Sequence, residues 1–167
     1  MMRWILLLIM GFLICLNYSH LFYLNIFTHS LPQGIYIRSS GVPKVGDYAV
    51  SCLTPEIAQY GIKRGYLATG NCDTGTVPVV KVIHGIPGDY FLIKNGLLEI
   101  HGIKYPILDH DSQGRPLKVF YKSNKIVLGE DKYLLLSNYV TNSWDARYWG
   151  SVTIKFLVKP FWIFDHA

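Results

Sequence analysis

Charged side chains are scarce in this sequence. Only 16% of its 167 residues are Asp, Glu, Lys or Arg, whereas 50% are apolar. This composition excludes a disordered chain, and the length suits one domain with a real core. The net charge of +5 is spread out without a dense basic run, so we expect no nucleic-acid partner. Ordinary surface solvation and attraction to an anionic membrane both remain possible reasons for the positive charge.

Cysteine is also rare, and metal-ligand spacings are missing. The three cysteines form no CxxC pair and no Cys/His cluster, so we expect no metal and no organic cofactor. The dense His/Asp patch at 109–111 is more typical of a solvated loop than of a metal site. Cys15 lies in an apolar run and is expected to be a small buried hydrophobe. For Cys52 and Cys72, composition leaves a disulfide and two free thiols equally open.

A long stretch without charge occurs at the start of the chain. Residues 4–16 carry no charge, and a softer stretch continues to Phe27, which gives the length of about 20 residues that a membrane-spanning helix needs. A cleaved signal peptide is the alternative, but no A-x-A-like cleavage site follows. Because Arg3 precedes the run, the positive-inside rule keeps Arg3 in the cytoplasm. We expect a single-pass anchor over residues 1–27 and an extracytoplasmic domain over residues 28–167.

The rest of the chain alternates between short apolar segments and turn residues. The segments are rich in Val, Ile, Tyr, Phe and Leu, which predicts strands. A turn of Asn95 and Gly96 predicts a type I′ hairpin. One helix is predicted over residues 55–60, with Thr54 as its N-cap. The pattern indicates a mainly β domain, folded as a barrel or coiled sheet. The predicted strands cover residues 34–38, 47–51, 77–83, 90–93, 97–100, 133–137 and 150–156.

Ser30 is the candidate nucleophile, and it needs a base. It follows the predicted anchor directly, so it would lie at the membrane surface. His29 points to the opposite face of an extended segment, and the sequence has no G-x-S-x-G elbow. A Ser-His-Asp triad therefore cannot be placed, although several histidines stay possible as partners. These are His84, His101, His110 and His166.

Lys81 is the other candidate base. It lies within the predicted strand 77–83 with apolar residues on both sides, so burial is expected to lower its pKa. A base near neutral pH needs a fall from about 10.4 to about 7–8, which burial alone can supply. The alternative is a strand lysine whose ammonium group reaches water along its apolar stem.

Three segments together resemble the type I signal peptidases, the serine/lysine proteases of the bacterial export system. In that family a serine follows the membrane helix, a strand lysine precedes a G-x-P-G-D turn, and an S-x-D-S-R-Y-x-G box comes later. The corresponding segments here are residues 30–32, 81–89 and 143–150, with Ala146 in place of the usual serine of the box. The resemblance implies a signal-peptidase catalytic domain with a coiled, barrel-like β-sheet after one transmembrane helix.

Finer features resemble the TraF-type conjugative transfer signal peptidases. Residues 30–36 look like the branch's S-x-P-x-G-x-Y pattern, and residues 111–117 look like its D-x-x-G-R-x-L loop. Cys52 and Cys72 fit the branch's cysteine pair, which implies a disulfide between them. Asn25 departs from the pattern, because the branch usually has an asparagine one position later.

The resemblance also implies a mechanism. Lys81 would take the proton of Ser30, and Ser30 would attack the scissile carbonyl to form an acyl-enzyme. The oxyanion would be bound by the backbone N–H of Ser30 and by the hydroxyl of Thr28. Three residues would support this site. Ser143 would orient Lys81, and Asp145 would pair with Arg147, with a direct catalytic part for Asp145 left open.

The implied substrate is an extended peptide that lies beside an edge strand with small side chains near Ser30. For the TraF-type branch this peptide is a pilin precursor, and some members also join its ends. Two alternatives are a general leader peptidase for secreted proteins and a catalytically silent, membrane-anchored β domain of a secretion assembly. The implied location is the bacterial inner membrane, with the catalytic domain in the periplasm. The residues predict no oligomeric state.

Overall fold

The computed structural model describes residues 22–25 and 28–164, and this part of the chain is mainly β, as predicted. The helices are α1 (Pro55–Arg64) and α2 (Ala146–Trp149). The strands are β1 (Phe22–Asn25), β2 (Gly34–Ser39), β3 (Tyr48–Ser51), β4 (Val79–Gly85), β5 (Tyr90–Lys94), β6 (Leu97–Ile100), β7 (Ile103–Pro106), β8 (Lys125–Val127), β9 (Leu134–Leu136) and β10 (Phe156–Ile163).

These strands form two antiparallel sheets. The larger sheet has six strands in the order β1-β2-β10-β3-β4-β9, and the smaller has four in the order β7-β6-β5-β8. The last strand, β10, lies inside the larger sheet, where it pairs with β2 on one side and with β3 on the other. β1, β2 and β4 therefore belong to one sheet, in which β4 carries Lys81 and the loop between β1 and β2 carries Ser30.

The two faces of β4 serve different parts of the core. Val80 and Val82 pack in a small cluster on one face of the larger sheet. Val79 and Ile83 belong to the main core, which also contains side chains of the smaller sheet and of both helices. Because side chains alternate along a strand, Lys81 points to the same face as Val79 and Ile83. The Lys81 side chain therefore lies on the face of the larger sheet that packs against the main apolar core.

Several local predictions are confirmed. Asn95 and Gly96 join β5 to β6 with positive φ angles of 52° and 71°, as a type I′ turn requires. The predicted helix is present and longer than expected, since it continues to Arg64 and ends at Gly65 with a φ of 74°. Thr54 stands at its N-cap, but the cap is the backbone carbonyl, which accepts a hydrogen bond from the Ala58 N–H at 2.8 Å, and the hydroxyl makes no cap bond.

The predicted strand over residues 150–156 is wrong. Gly150 has a φ of 74° and closes helix α2, and in the following residues Val152 makes an isolated bridge to Tyr133. The strand begins at Phe156 and continues through Pro160, where its register with β2 shifts. A proline within a segment argues against a strand in a sequence pattern, but a register irregularity accommodates it.

The end of the predicted anchor also differs in the structure. Phe22–Asn25 form strand β1 and pair with β2, from Phe22 opposite Ile37 to Asn25 opposite Gly34. The helical assignment of these four residues is wrong, because they pair with β2 as a strand. Residues 1–21 lie outside the described residues, and the anchor there stays a prediction. Within residues 22–25 and 28–164, no helix has the length and apolar character to cross a bilayer.

Candidate active site

Ser30 lies in the loop between β1 and β2, and the side chain of Asn25 shapes this loop. Asn25 is 4% exposed. Its Nδ2 group lies 3.1 Å from the carbonyl oxygens of both Leu31 and Pro32, to which it donates. Its Oδ1 atom accepts the Thr28 hydroxyl at 2.8 Å and the Thr28 N–H at 3.3 Å. The buried side-chain amide of Asn25 thus supplies hydrogen bonds to backbone groups of this loop, which has no ladder of strand hydrogen bonds. From sequence, Asn25 stood out only as a departure from a family pattern.

Two contacts orient Ser30 itself. Its Oγ donates to Thr28 Oγ1 at 3.4 Å, and its backbone carbonyl oxygen accepts a hydrogen bond from Ser137 Oγ at 2.8 Å. Ser137 directly follows β9 and is 4% exposed. Ser137 could not be recognised from the sequence, because its only signal is a polar residue at the end of an apolar strand.

Lys81 is buried in the middle of β4, opposite Ala49 of β3. It is 7% exposed, so its side chain is largely removed from bulk water, in keeping with the expected burial. Its Nζ atom donates to Ser143 Oγ at 2.9 Å, a bond that the resemblance led us to expect. Burial lowers the pKa of Lys81 to about 8, although the nearby Asp145 carboxylate acts in the opposite direction. A neutral amine is therefore accessible at mildly alkaline pH.

Asp145 and Arg147 form a buried ion pair beneath the site. Their exposed fractions are 0% and 1%, and two bonds of 2.8 Å join the guanidinium to the carboxylate. Arg147 Nη2 also donates to the Ser143 carbonyl at 3.0 Å, and Asp145 Oδ2 accepts the Ser137 N–H at 3.0 Å. The pair therefore holds Ser143, the partner of Lys81, and Ser137, the partner of the Ser30 main chain. The expected pairing of Asp145 with Arg147 is therefore present.

Ser30 and Lys81 line the same cleft, together with Thr28 and Ser143. The cleft has a volume of about 570 Å³. Across residues 22–25 and 28–164, no hydrogen bond joins Ser30 Oγ to Lys81 Nζ, since each has another hydroxyl partner. Catalytic hydrogen bonds are often formed only when a substrate is bound. The remaining walls are largely aliphatic and aromatic, and they include Tyr66, Leu67, Val77, Pro78, Leu108, Leu117 and Trp144.

The geometry around Thr28 does not match its expected part in an oxyanion hole. Asn25 Oδ1 is an acceptor only, so the Thr28 hydroxyl uses its single proton on that atom. The same hydroxyl oxygen accepts from Ser30. In this arrangement Thr28 orients the serine and has no proton left for a developing oxyanion.

The disulfide between Cys52 and Cys72 is confirmed. The two Cα atoms are 5.7 Å apart, and the bond ties the segment after β3 to the loop before β4.

The predicted surface loop at 109–111 is held by hydrogen bonds to Asp111. Asp111 accepts hydrogen bonds from the Arg115 guanidinium and the Tyr66 hydroxyl, and it lines the cleft. Among the described residues no cluster of His, Cys, Asp and Glu is arranged to hold a metal ion.

A buried strand lysine and a loop serine that line one cleft of a mainly β domain define a candidate serine/lysine peptidase site. The family model described as signal peptidase, peptidase S26, matches residues 1–159. The chain belongs to this signal peptidase family, whose members are serine peptidases that act on protein substrates.

Similar proteins indicate the branch of the signal peptidase family to which the chain is related. The chain is 30% identical over 141 residues to a plasmid transfer protein TraF of Escherichia coli, covering 80% of this chain and 78% of that protein. A second Escherichia coli TraF is 31% identical over 130 residues, covering 75% and 72% of the two chains. A probable conjugal transfer protein TraF of Sinorhizobium fredii (strain NBRC 101917 / NGR234) is 30% identical over 132 residues, covering 75% and 67%. The resemblance to TraF-type signal peptidases is therefore confirmed.

Proposed function

We propose that this protein is a membrane-bound serine endopeptidase that removes the leader segment of a pilin precursor for conjugative transfer. Ser30 is the nucleophile and Lys81 is the base. One observation carries the proposal: a buried lysine, held by Ser143, lines the same cleft as a loop serine. The similarity to plasmid transfer proteins supports the conjugative role.

The chemistry follows from the two side chains. When a substrate enters, Ser30 Oγ turns from Thr28 toward Lys81 and gives its proton to the neutral amine. The oxygen attacks the scissile carbonyl carbon, and the protonated lysine returns that proton to the leaving amine as the peptide bond breaks. A water molecule then attacks the acyl-enzyme and loses a proton to Lys81, and the lysine passes this proton to Ser30 Oγ as the ester bond breaks. This step restores the serine hydroxyl and the neutral amine and releases the new carboxylic acid, which ionises in water. The N–H of Ser30 is the expected oxyanion donor.

An unpaired strand edge supports a peptide substrate. On one side of β4, Val79 and Lys81 pair with Ser51 and Ala49 of β3. On the other side, β9 pairs with β4 from Val82 onward, so among the described strands the edge at 79–81 is open toward the cleft. An extended peptide can add to such an edge through main-chain hydrogen bonds. Its scissile bond then lies beside the lysine.

Exposed apolar side chains support a membrane location. Phe22 and Leu24 of β1, Phe161 and Trp162 of β10 and the adjacent Phe164 are 45% to 63% exposed. Aromatic side chains of this kind favour the boundary between lipid and water. They lie where the chain enters the domain from the predicted anchor.

The disulfide between Cys52 and Cys72 supports an oxidising compartment such as the periplasm.

The test is to express the protein together with the pilin precursor of its own conjugation system and to measure the mass of the pilin. Wild type should remove the leader, and a product one water lighter than the linear peptide would show that the ends are also joined. Ser30→Ala and Lys81→Ala should leave the precursor intact. The matched controls Ser40→Ala and Lys94→Ala change exposed residues and should process it normally. Normal processing by either dyad variant refutes the assigned chemistry.

The same experiment separates the alternative functions. A general leader peptidase would also cleave an unrelated secretory precursor, so such a precursor is included as a second substrate. A catalytically silent β domain would process neither precursor, although conjugation would still require its presence. Loss of conjugation in Ser30→Ala, with normal protein levels, favours the peptidase over the silent domain.

A further inference from the structure

Ser137 makes a directional contact with the nucleophile segment. The Tyr139 N–H donates to Ser137 Oγ at 3.2 Å, so the hydroxyl oxygen acts there as an acceptor. The hydroxyl proton is donated to the Ser30 carbonyl oxygen at 2.8 Å. Bonds in such a chain polarise one another, which strengthens the last one. Ser137 does not line the cleft, so it acts on Ser30 from behind.

The other side of Ser137 is attached to the support of Lys81. Its backbone N–H donates to Asp145, and Asp145 is paired with Arg147. Arg147 holds the Ser143 carbonyl, and the Ser143 hydroxyl accepts from the Lys81 ammonium. A continuous series of hydrogen bonds thus runs from the backbone of the serine to the side chain of the lysine, part-buried at the serine and buried from Asp145 to Lys81.

We propose that Ser137 is a positioning residue, which fixes the backbone of Ser30 at the correct distance from Lys81. This inference rests on the proposed function, because it assumes that these two residues react together. Ser30 lies in a loop outside the described strands, so no ladder hydrogen bond holds its carbonyl, and the bonds of Asn25 act on the residues around it. A reacting atom displaced by about 1 Å costs about 100-fold in rate. Removing the Ser137 hydroxyl should therefore reduce turnover much more than substrate binding.

Ser51 provides a matched control. Like Ser137, it is a buried serine, and its Oγ donates to a backbone carbonyl, that of Thr153, at 2.7 Å. It lies on β3 and does not line the cleft. Ser137→Ala removes two bonds of the hydroxyl, and Ser51→Ala also removes two, the one to Thr153 and a longer one of 3.4 Å to the Cys52 carbonyl. A general loss of stability therefore affects both variants, whereas loss of positioning affects only Ser137→Ala.

The test measures kcat, KM and the pH profile of precursor cleavage for wild type, Ser137→Ala, Ser137→Thr and Ser51→Ala. For Ser137→Ala we expect kcat to fall about 10- to 100-fold with KM within about twofold, and the apparent pKa of the profile to stay in place, because Lys81 keeps Ser143. Ser137→Thr retains a hydroxyl and should recover most of kcat. Ser51→Ala should stay within about twofold of wild type. A kcat for Ser137→Ala no lower than that of Ser51→Ala overturns the inference.

A second measurement separates this inference from the proposed function. Amide hydrogen exchange of residues 28–31 does not depend on the reaction. It should become faster in Ser137→Ala and remain unchanged in Ser51→Ala. Unchanged exchange in both variants overturns the positioning role even if the precursor is cleaved. If Ser30→Ala remains active, the proposed function fails, whatever the exchange data show.

Discussion

Replacement of Lys81 by methionine should abolish catalysis and stabilise the protein. A fall in the lysine pKa from 10.5 to about 8 corresponds to about 3 kcal/mol, since each pKa unit is about 1.4 kcal/mol. At pH 7 the folded protein bears this cost of keeping a charged ammonium buried. Methionine fills a similar volume without a charge, but it leaves Ser143 Oγ without its donor, which costs about 1 kcal/mol. The expected net gain is about 2 kcal/mol.

The lowered pKa of Lys81 should make the stability of the wild-type protein rise with pH. Below pH 8 the lysine is protonated in both folded and unfolded chains, and the folded state bears the full cost. Between pH 8 and 10.5 the folded lysine loses its proton first, so the unfolded state binds more protons and stability rises with pH. Lys81→Met should lack this rise. The advantage of the variant over wild type should therefore shrink as the pH approaches 10.

Urea unfolding of the oxidised protein, followed by tryptophan fluorescence at several pH values, measures this difference. With a slope of about 2 kcal/mol per molar urea, the midpoint of Lys81→Met should lie about 1 M higher at pH 7. Lys94→Met is the control, since Lys94 is an exposed lysine at the end of β5, and its effect should stay within about 0.5 kcal/mol. A variant less stable than wild type at pH 7, or a difference independent of pH, would refute the reasoning.

Three further predictions concern the same domain. The value of kcat/KM should fall about tenfold per pH unit below about pH 8, as Lys81 gains its proton, and a profile that is flat from pH 6 to 9 would contradict a lysine base. Replacing Cys52 and Cys72 by alanine together should cost about 3 kcal/mol in urea unfolding, and reduced wild type should then unfold like the variant. Asp145→Asn should cost about 3–5 kcal/mol in the same assay, because it leaves the buried Arg147 charge unpaired, and a loss below about 1 kcal/mol would contradict this.

The burial of Lys81 could be predicted because it depends on a local pattern. Alternation places Lys81 on the same face as Val79 and Ile83, and both of these are strongly apolar. The hairpin at Asn95 and the start of α1 at Pro55 were predictable for the same reason, since their signals lie within a few residues. The partner of Lys81 came from resemblance, because no local pattern connects it to a serine 62 positions later.

Three features could not be predicted from the sequence, because they depend on contacts between segments that are distant in the chain. Ser137 meets Ser30 across 107 positions, and no periodicity records such a contact. The apolar residues at Phe22–Asn25 suit a membrane helix as well as a strand, so the sequence alone does not distinguish the two. The pairing of this segment with β2 makes it a strand. The strand β10 was misplaced because Pro160 argues against a strand unless the register irregularity is known.

The central place of β10 has a consequence for biosynthesis. Leu157 pairs with Ser39 on β2 and with Ala49 on β3, and Ala49 in turn pairs with Lys81. A ribosome makes β2, β3 and β4 long before β10, so the larger sheet stays divided until the residues up to Ile163 have emerged. The serine-bearing and lysine-bearing halves therefore join late, through pairings of high sequence separation, which form slowly. A nascent chain consequently cannot complete the sheet that brings Ser30 and Lys81 to one cleft until β10 has emerged from the ribosome.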